Sequence, residues 1–182
     1  AGNAIAMSDG SGNGNLTLQA GRSITLDSSI NTGNANLTLV ANETAANGVV
    51  NAYRDSGNAA ITVAAGTSIN AGSGQVRMTI ANGAGKTNFG SGAISINGNV
   101  AAGSASIRNL GTSANSNVVI GATGAITGTG SGLIEVVASN GTFTNSAGAT
   151  GINPGTGRYL VYSNNPNATT EGLSGYNKHY NQ

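Results

Sequence analysis

The sequence predicts an all-β chain wound as a parallel β-helix, or β-solenoid, of about seven or eight rungs. Three observations predict it. Short runs alternate apolar and polar residues with period two, as in Leu16-Thr17-Leu18 and Ile24-Thr25-Leu26. Such alternation puts the aliphatic side chains on one face of a strand and the threonines on the other. The phrase opening at Asn15 (Asn-Leu-Thr-Leu) restarts at Asn36, and a repeat of about twenty residues with one apolar face per strand marks a solenoid. Helix is excluded by the third: no ten-residue window carries a 3.6-residue apolar period, and Gly, Asn, Ser and Thr dominate.

Composition bounds what such a coil does. Its 182 residues suit one domain. Only 7% are charged and the net charge is +1, so the chain lacks the strong self-repulsion that keeps polar chains disordered. The same near-neutrality leaves no field to attract nucleic acid or acidic lipid, and neither is expected as a partner. No apolar run approaches the ~18 residues needed to cross a bilayer, so the chain is not expected to span a membrane. The absence of Cys excludes disulfides, thiol chemistry and zinc–thiolate sites. Ala1 to Met7 lacks the basic start and long apolar core of a signal peptide, which predicts a mature product or a piece of something larger.

Taken in order, Ala4 to Met7 reads as a weak strand and Asp9 to Gly14 as a turn. Rung one runs from Asn15 to Thr32. Rung two opens at Leu37-Thr38-Leu39, then leaves the pattern across residues 41–58, where Glu43, Tyr53, Arg54 and Asp55 mark a lateral loop. Register resumes at Ala60–Val63. Ala65–Ile69 repeats the phrase Ala20–Ile24, and Leu16 to Ile24 spans the same eight residues as Ile61 to Ile69, which argues for stacking. Further strands are expected at Val76–Ile80, Ala93–Ile96, Ala105–Ile107, Asn117–Ile120, Leu133–Val137 and Gly141–Phe143. Asn-Gly pairs at Asn13, Asn47, Asn82, Asn97 and Asn140 supply tight corners, since both residue types tolerate left-handed backbone. The repeats thus occupy residues 1–157.

After Gly157 the composition changes. Arg158–Ser163 is the most aromatic strand, and four of the seven aromatic residues lie from its start to the end of the sequence. Residues 158–182 are expected to cap the last rung or to link it to a neighbour. Tyr159 and Tyr162 fall on opposite faces of their strand, and Tyr176 and Tyr180 fold back over the open end. A sugar-stacking or host-binding surface is the alternative use of these tyrosines.

Catalysis finds no set of residues. The acids Asp9, Asp27, Glu43, Asp55, Glu135 and Glu171 are scattered, and the single histidine, His179, stands beside Lys178. Glycosidic chemistry needs paired carboxylates or a held metal. No enzyme activity, metal or cofactor is expected, and the polysaccharide-active β-helix is a minor alternative. The glycine-rich runs near Gly121 and Gly128 have neither the lysine nor the helix of a phosphate loop. Thr17, Thr25, Thr38, Thr62 and Thr79 stand mid-strand and would form an outward ladder, interrupted by Ser95 and Val119. Ice binding is one reading of that ladder; the β-propensity of Thr accounts for it without any ligand. Asn-x-Ser/Thr sequons stand at Asn15, Asn36, Asn42, Asn140 and Asn167, candidate glycosylation sites of which two belong to the repeat phrase itself.

The phrases beginning at Asn15, Ala20, Ile30 and Asn36, with the closing Arg158-Tyr-Leu-Val-Tyr-Ser and its Asn-Asn-Pro, resemble the repeats of filamentous-haemagglutinin-like exoproteins. These secreted partners of two-partner secretion systems include the high-molecular-weight adhesins. The resemblance implies a right-handed parallel β-helix exported through an outer-membrane pore partner. It implies a place outside a Gram-negative cell or on its outer surface, as a structural or adhesive fibre element meeting a host surface, a neighbouring cell or a glycan. It also implies that the sequons are open to modification. A self-assembling filament subunit, stacking end to end through open strand edges, is the alternative.

Overall fold

The computed structural model describes residues 5–6, 14–45 and 49–173. The strands are β1 (Ile5–Ala6), β2 (Leu16–Gln19), β3 (Ile24–Leu26), β4 (Ile30–Asn31), β5 (Leu37–Ala41) and β6 (Ala59–Val63). There follow β7 (Ser68–Asn70), β8 (Gln75–Ile80), β9 (Ser91–Ile96), β10 (Asn99–Ala102), β11 (Ser104–Asn109) and β12 (Val118–Ile120). The last five are β13 (Ala125–Gly128), β14 (Leu133–Ala138), β15 (Phe143–Asn145), β16 (Ile152–Asn153) and β17 (Arg158–Ser163).

These strands stack into three parallel sheets. The first sheet holds β2, β5, β8, β11, β14 and β17, the second β3, β6, β9, β12 and β15, and the third β1, β4, β7, β10, β13 and β16. The chain visits first, second and third sheet in turn and then begins again one rung higher. That is a parallel β-helix.

The rungs are fewer and longer than the repeat phrase suggests. Among the described residues each sheet has five or six strands, so the coil is six rungs deep and not seven or eight. Only the first rung has the short period: stacked positions Asn15 and Asn36 are 21 residues apart, whereas Asn36 and Gln75 are 39 apart. The difference comes mostly from connections between the first and second sheets; where two of them rejoin the coil, the pairing of β6 with β9 slips by one residue between Ala59 and Ile61, a local bulge. The eight-residue spacing has a similar ambiguity. Leu16 to Ile24 crosses from first to second sheet, while Ile61 to Ile69 crosses from second to third, so the matching phrases turn different corners.

Alternation fixes the interior. In the first sheet Leu16, Leu37, Val76, Ala105, Ile134 and Tyr159 form one inward column, and Leu18, Leu39, Met78, Ile107, Val136 and Val161 the next. Ile61, Ile94, Val118 and Phe143 line the second sheet, and Ile30, Ile69, Val100, Ile126 and Ile152 the third, all buried. A one-residue slip would turn every one of these aliphatic side chains outward, so the register is firmly held. The first-sheet ladder runs on through Ser163, because Tyr159 and Val161 continue the two inward columns.

Corners use two devices. Between third and first sheets, Asn31, Asn70 and Asn153 each accept a hydrogen bond through Oδ1 from the glycine two residues on, at 3.0 Å. Gly33, Gly72 and Gly155 then take the left-handed backbone open to glycine. The signature of these three corners is Asn-x-Gly; the corners after β10 and β13 lack it. Of the Asn-Gly pairs, Asn82-Gly83 has its glycine left-handed, while Asn13 and Asn47 lie outside the described residues. At Gly98 and Gly141 the constraint is the rung below: a Cβ would meet the carbonyl oxygen of Ala64 at 2.6 Å, or the carbonyl carbon of Ser116 at 2.5 Å. Gly74, Gly103, Gly132 and Gly157, each just ahead of a first-sheet strand, form a column of the same kind.

Candidate functional site

Connections between first and second sheets stack along one edge of the coil. Three successive ones, of which residues 20–23, 42–45, 49–58 and 81–90 are described, together make a lateral platform. Asn42 starts it. The backbone there is left-handed, with φ 55°, a conformation Asn tolerates better than most residues. Its buried side chain donates to the carbonyl oxygens of Ala81 at 2.8 Å and Phe89 at 3.0 Å, joining the second excursion to the third. The Asn42 and Glu43 amides bond down to the carbonyls of Arg22 and Ala20, both at 3.0 Å, which joins the second to the first.

Arg54 locks the assembly. It is 6% exposed and donates to the carbonyl oxygens of Thr87 (2.8 Å) and Glu43 (2.7 Å) and to Asn42 Oδ1 (2.5 Å). A buried guanidinium is tolerable only when it is hydrogen-bonded, and here backbone and amide oxygens accept from each of its three nitrogens. Asn88, also left-handed, donates back to the Arg54 carbonyl at 2.8 Å. Glu43 accepts from Gln19 Nε2 at 3.0 Å and from the Thr44 and Ala45 amides. The described parts of the excursion, residues 42–45 and 49–58, thus form a shelf with a polar interior.

What the shelf shows to solvent is different. Among the described residues four large hydrophobic side chains are exposed, and Tyr53 (84%), Phe89 (46%) and Val50 (45%) are on the platform. Tyr53 ends a 3-10 turn, Asn51–Tyr53. Beside it lies a shallow cleft of roughly 270 Å³ lined by Ala20, Gly21, Arg22, Ser23, Tyr53, Arg54 and Asp55. Exposed Arg22 and Asp55 bring both a donor and an acceptor to its rim.

The lateral-loop residues apart, the site residues expected from sequence lie elsewhere, with the exception of Asn42. Thr17 and Thr38 stack in the first sheet, where Arg77 continues their column; Thr62 stacks on Thr25 in the second sheet. Thr79 is in a third column, between Val40 and Arg108, and is buried. The threonines therefore form no single ladder: alternation decides which face each takes, but the sheet it joins depends on where the chain turns. The longest hydroxyl-bearing column is Thr25, Thr62, Ser95, Val119 and Thr144, extended by the bridge to Thr170. Tyr159 points inward, Tyr162 is the fourth exposed hydrophobic residue, and Tyr176 and Tyr180 lie outside the described residues.

The sequons differ in what holds them. Asn42 is fully buried and spends its amide nitrogen on two carbonyls, which leaves nothing to modify. Asn15 and Asn36 are stitches: each Oδ1 accepts the amide of the rung above, Asn36 at 3.0 Å and Gln75 at 2.8 Å. Asn140 donates to the Gly111 carbonyl at 2.7 Å. Asn167 stands exposed on the 3-10 turn Pro166–Ala168.

Val50, Phe89 and Arg22 escaped the sequence reading. Phe89, an aromatic alone in a Gly- and Asn-rich stretch between two strands, was the available signal. Among the described residues no three His, Cys, Asp or Glu side chains gather closely enough to hold a metal ion, and no helix is long and apolar enough to cross a membrane. No family model matches the chain, and no curated protein or solved structure does either.

Proposed function

We propose that the chain is a non-enzymatic structural and adhesive element of a bacterial surface or secreted fibre, with the lateral platform as its contact face. The observation that carries this reading is the division of labour at Arg54. A buried guanidinium, bonded through each of its three nitrogens, ties two excursions together, and the same excursions turn Val50, Tyr53 and Phe89 outward. In solenoids, insertions gather on one face and that face is often the binding one. Pre-ordered aromatic side chains lose little entropy on contact, which favours them as anchors. The resemblance of the repeat phrases adds the setting: export through an outer-membrane pore partner, and display at or release from a Gram-negative surface. The partner is then a host surface, a neighbouring cell or a glycan.

Attachment of beads coated with the chain to host and bacterial cells tests the reading. The triple variant Val50→Ser, Tyr53→Ser, Phe89→Ser should lose attachment while melting as the parent does. Attachment unchanged in that variant refutes the platform as contact face.

End-to-end assembly is the second reading. Leu16 and Leu18 at one end and Tyr159 and Val161 at the other are half-buried members of the same inward columns. Against it, Thr170 bonds across the edge of β15 (3.0 Å to the Phe143 carbonyl), and Leu173 packs on the core behind it. This single bridge blunts the edge of the second sheet, one of the three that end-to-end assembly would use. Deleting residues 164–182 should therefore cause concentration-dependent association in sedimentation; ordered assembly by the full chain, lost on deletion, favours linkage instead.

A further inference from the structure

The cleft under Tyr53 has a chemistry specific enough to name a ligand class, given the reading of the platform as a contact face. We propose that it binds one neutral sugar residue, with a C–H face of the ring on Tyr53 and adjacent hydroxyls between Asp55 and Arg22.

Size comes first. At roughly 270 Å³ the cleft lies just below the range of about 300–1,000 Å³ that holds drug-sized molecules, so it suits a single ring. Charge comes second. Arg54 forms part of the wall, but it is buried and its guanidinium is bonded to Thr87, Glu43 and Asn42, which makes it structural. Arg22 is exposed and donates to the Ser56 carbonyl at 2.6 Å, leaving further N–H groups of its five for a ligand. Asp55 offers only acceptors in its ionised form. A phosphate or carboxylate would meet the Asp55 charge, and a cation would meet Arg22. A hydroxyl both donates and accepts, so a pair of them answers both side chains without net charge.

Stacking is the third element. Tyr53 exposes 84% of its surface beside this polar rim. An aromatic ring with an apolar face and a polar tip is suited to the C–H face of a sugar, whose hydroxyls then project sideways to the rim. The ring is carried on a fixed turn: the Tyr53 amide donates to the Val50 carbonyl at 3.0 Å and the Arg54 amide to Asn51 at 3.2 Å. Ser23 adds a hydroxyl whose oxygen accepts the Ala60 amide at 3.0 Å and whose proton remains to give.

The test is saturation-transfer NMR on the full chain with methyl β-D-glucopyranoside, methyl β-D-galactopyranoside and methyl α-D-mannopyranoside, and with methyl β-D-glucuronide as the charged comparison. At least one neutral glycoside should receive saturation, strongest on the protons of one ring face. Tyr53→Ser and Asp55→Asn, both exposed positions, should each weaken it about tenfold with unchanged melting curves. No transfer to any neutral glycoside overturns the proposal, as does transfer that survives Tyr53→Ser or is stronger for the glucuronide. If transfer fails while coated beads still attach through the platform, the sugar assignment falls and the contact face stands; loss of both removes both.

Discussion

Replacing Gly132 by Ala should destabilise the chain strongly, and replacing Gly130, two residues earlier, should not. A Cβ at Gly132 would press into the Gly103 carbonyl of the rung below, with both the carbonyl carbon and Ser104 Cβ at 2.9 Å. Carbon atoms in contact prefer about 3.5–4.0 Å, so each pair is short by roughly 0.6 Å or more, and the carbonyl oxygen is closer still. The obstacle is backbone held in a ladder, not the end of a flexible side chain. Relief requires the rungs, about 4.8 Å apart, to part locally, which sacrifices one or two ladder hydrogen bonds at about 1 kcal/mol each. Overpacking strain adds about 1–3 kcal/mol, for a total of about 2–5 kcal/mol. For a chain of this size that lowers Tm by roughly 4–20 °C. Nothing stands within 4 Å of a Cβ at Gly130 and its backbone is not left-handed, so Ala there removes unfolded-state freedom and gains about 0.4–1 kcal/mol. Thermal melting followed by circular dichroism reads both. A Gly132→Ala protein that melts with the parent, or no lower than Gly130→Ala, would refute the stacking of residue 132 on residue 103.

Arg54→Met keeps the aliphatic stem and removes three donated hydrogen bonds. Bonds from a charged group contribute about 1.5–3 kcal/mol each and do not add, so a loss of about 2–4 kcal/mol is expected within the platform. Hydrogen exchange should quicken at the Thr87 amide, which bonds Asn51 Oδ1, and stay slow at Ile107 in the middle of the first sheet. In a cell that glycosylates Asn-x-Ser/Thr, mass spectrometry should find Asn167 occupied and Asn42 bare, since one is exposed and the other fully buried. Ile107→Ala, at a fully buried position between Met78 and Val136, should cost about 2–5 kcal/mol in urea unfolding.

Much of the coil was legible because strands declare themselves locally. Leu16-Thr17-Leu18 and Ile24-Thr25-Leu26 show which side chains face inward, and they do so in the structure. What they do not show is which sheet each strand joins. That is set by corner geometry, and the corner carriers are Asn31, Asn70 and Asn153 with a glycine two residues on, a spacing easily passed over in a chain rich in both. The glycine column at Gly74, Gly103, Gly132 and Gly157 was equally visible as letters, yet its meaning needs the rung beneath. Of the candidate site, the charges of residues 43–55 stood out. That Arg54 turns inward while Tyr53 turns outward depends on carbonyls at Glu43 and Thr87, one of them 33 residues away. No local pattern encodes such a contact.

Radical footprinting of the chain attached to cells bears most directly on the platform as the contact face. Tyr53 and Tyr162 are both exposed aromatics, one on the platform and one on the outer face of the first sheet, so each serves as the other's control. Oxidation of Tyr53 and Phe89 should fall on attachment while that of Tyr162 stays at its free level. Protection of Tyr162 with Tyr53 unchanged would place the contact on the sheet face and contradict the account.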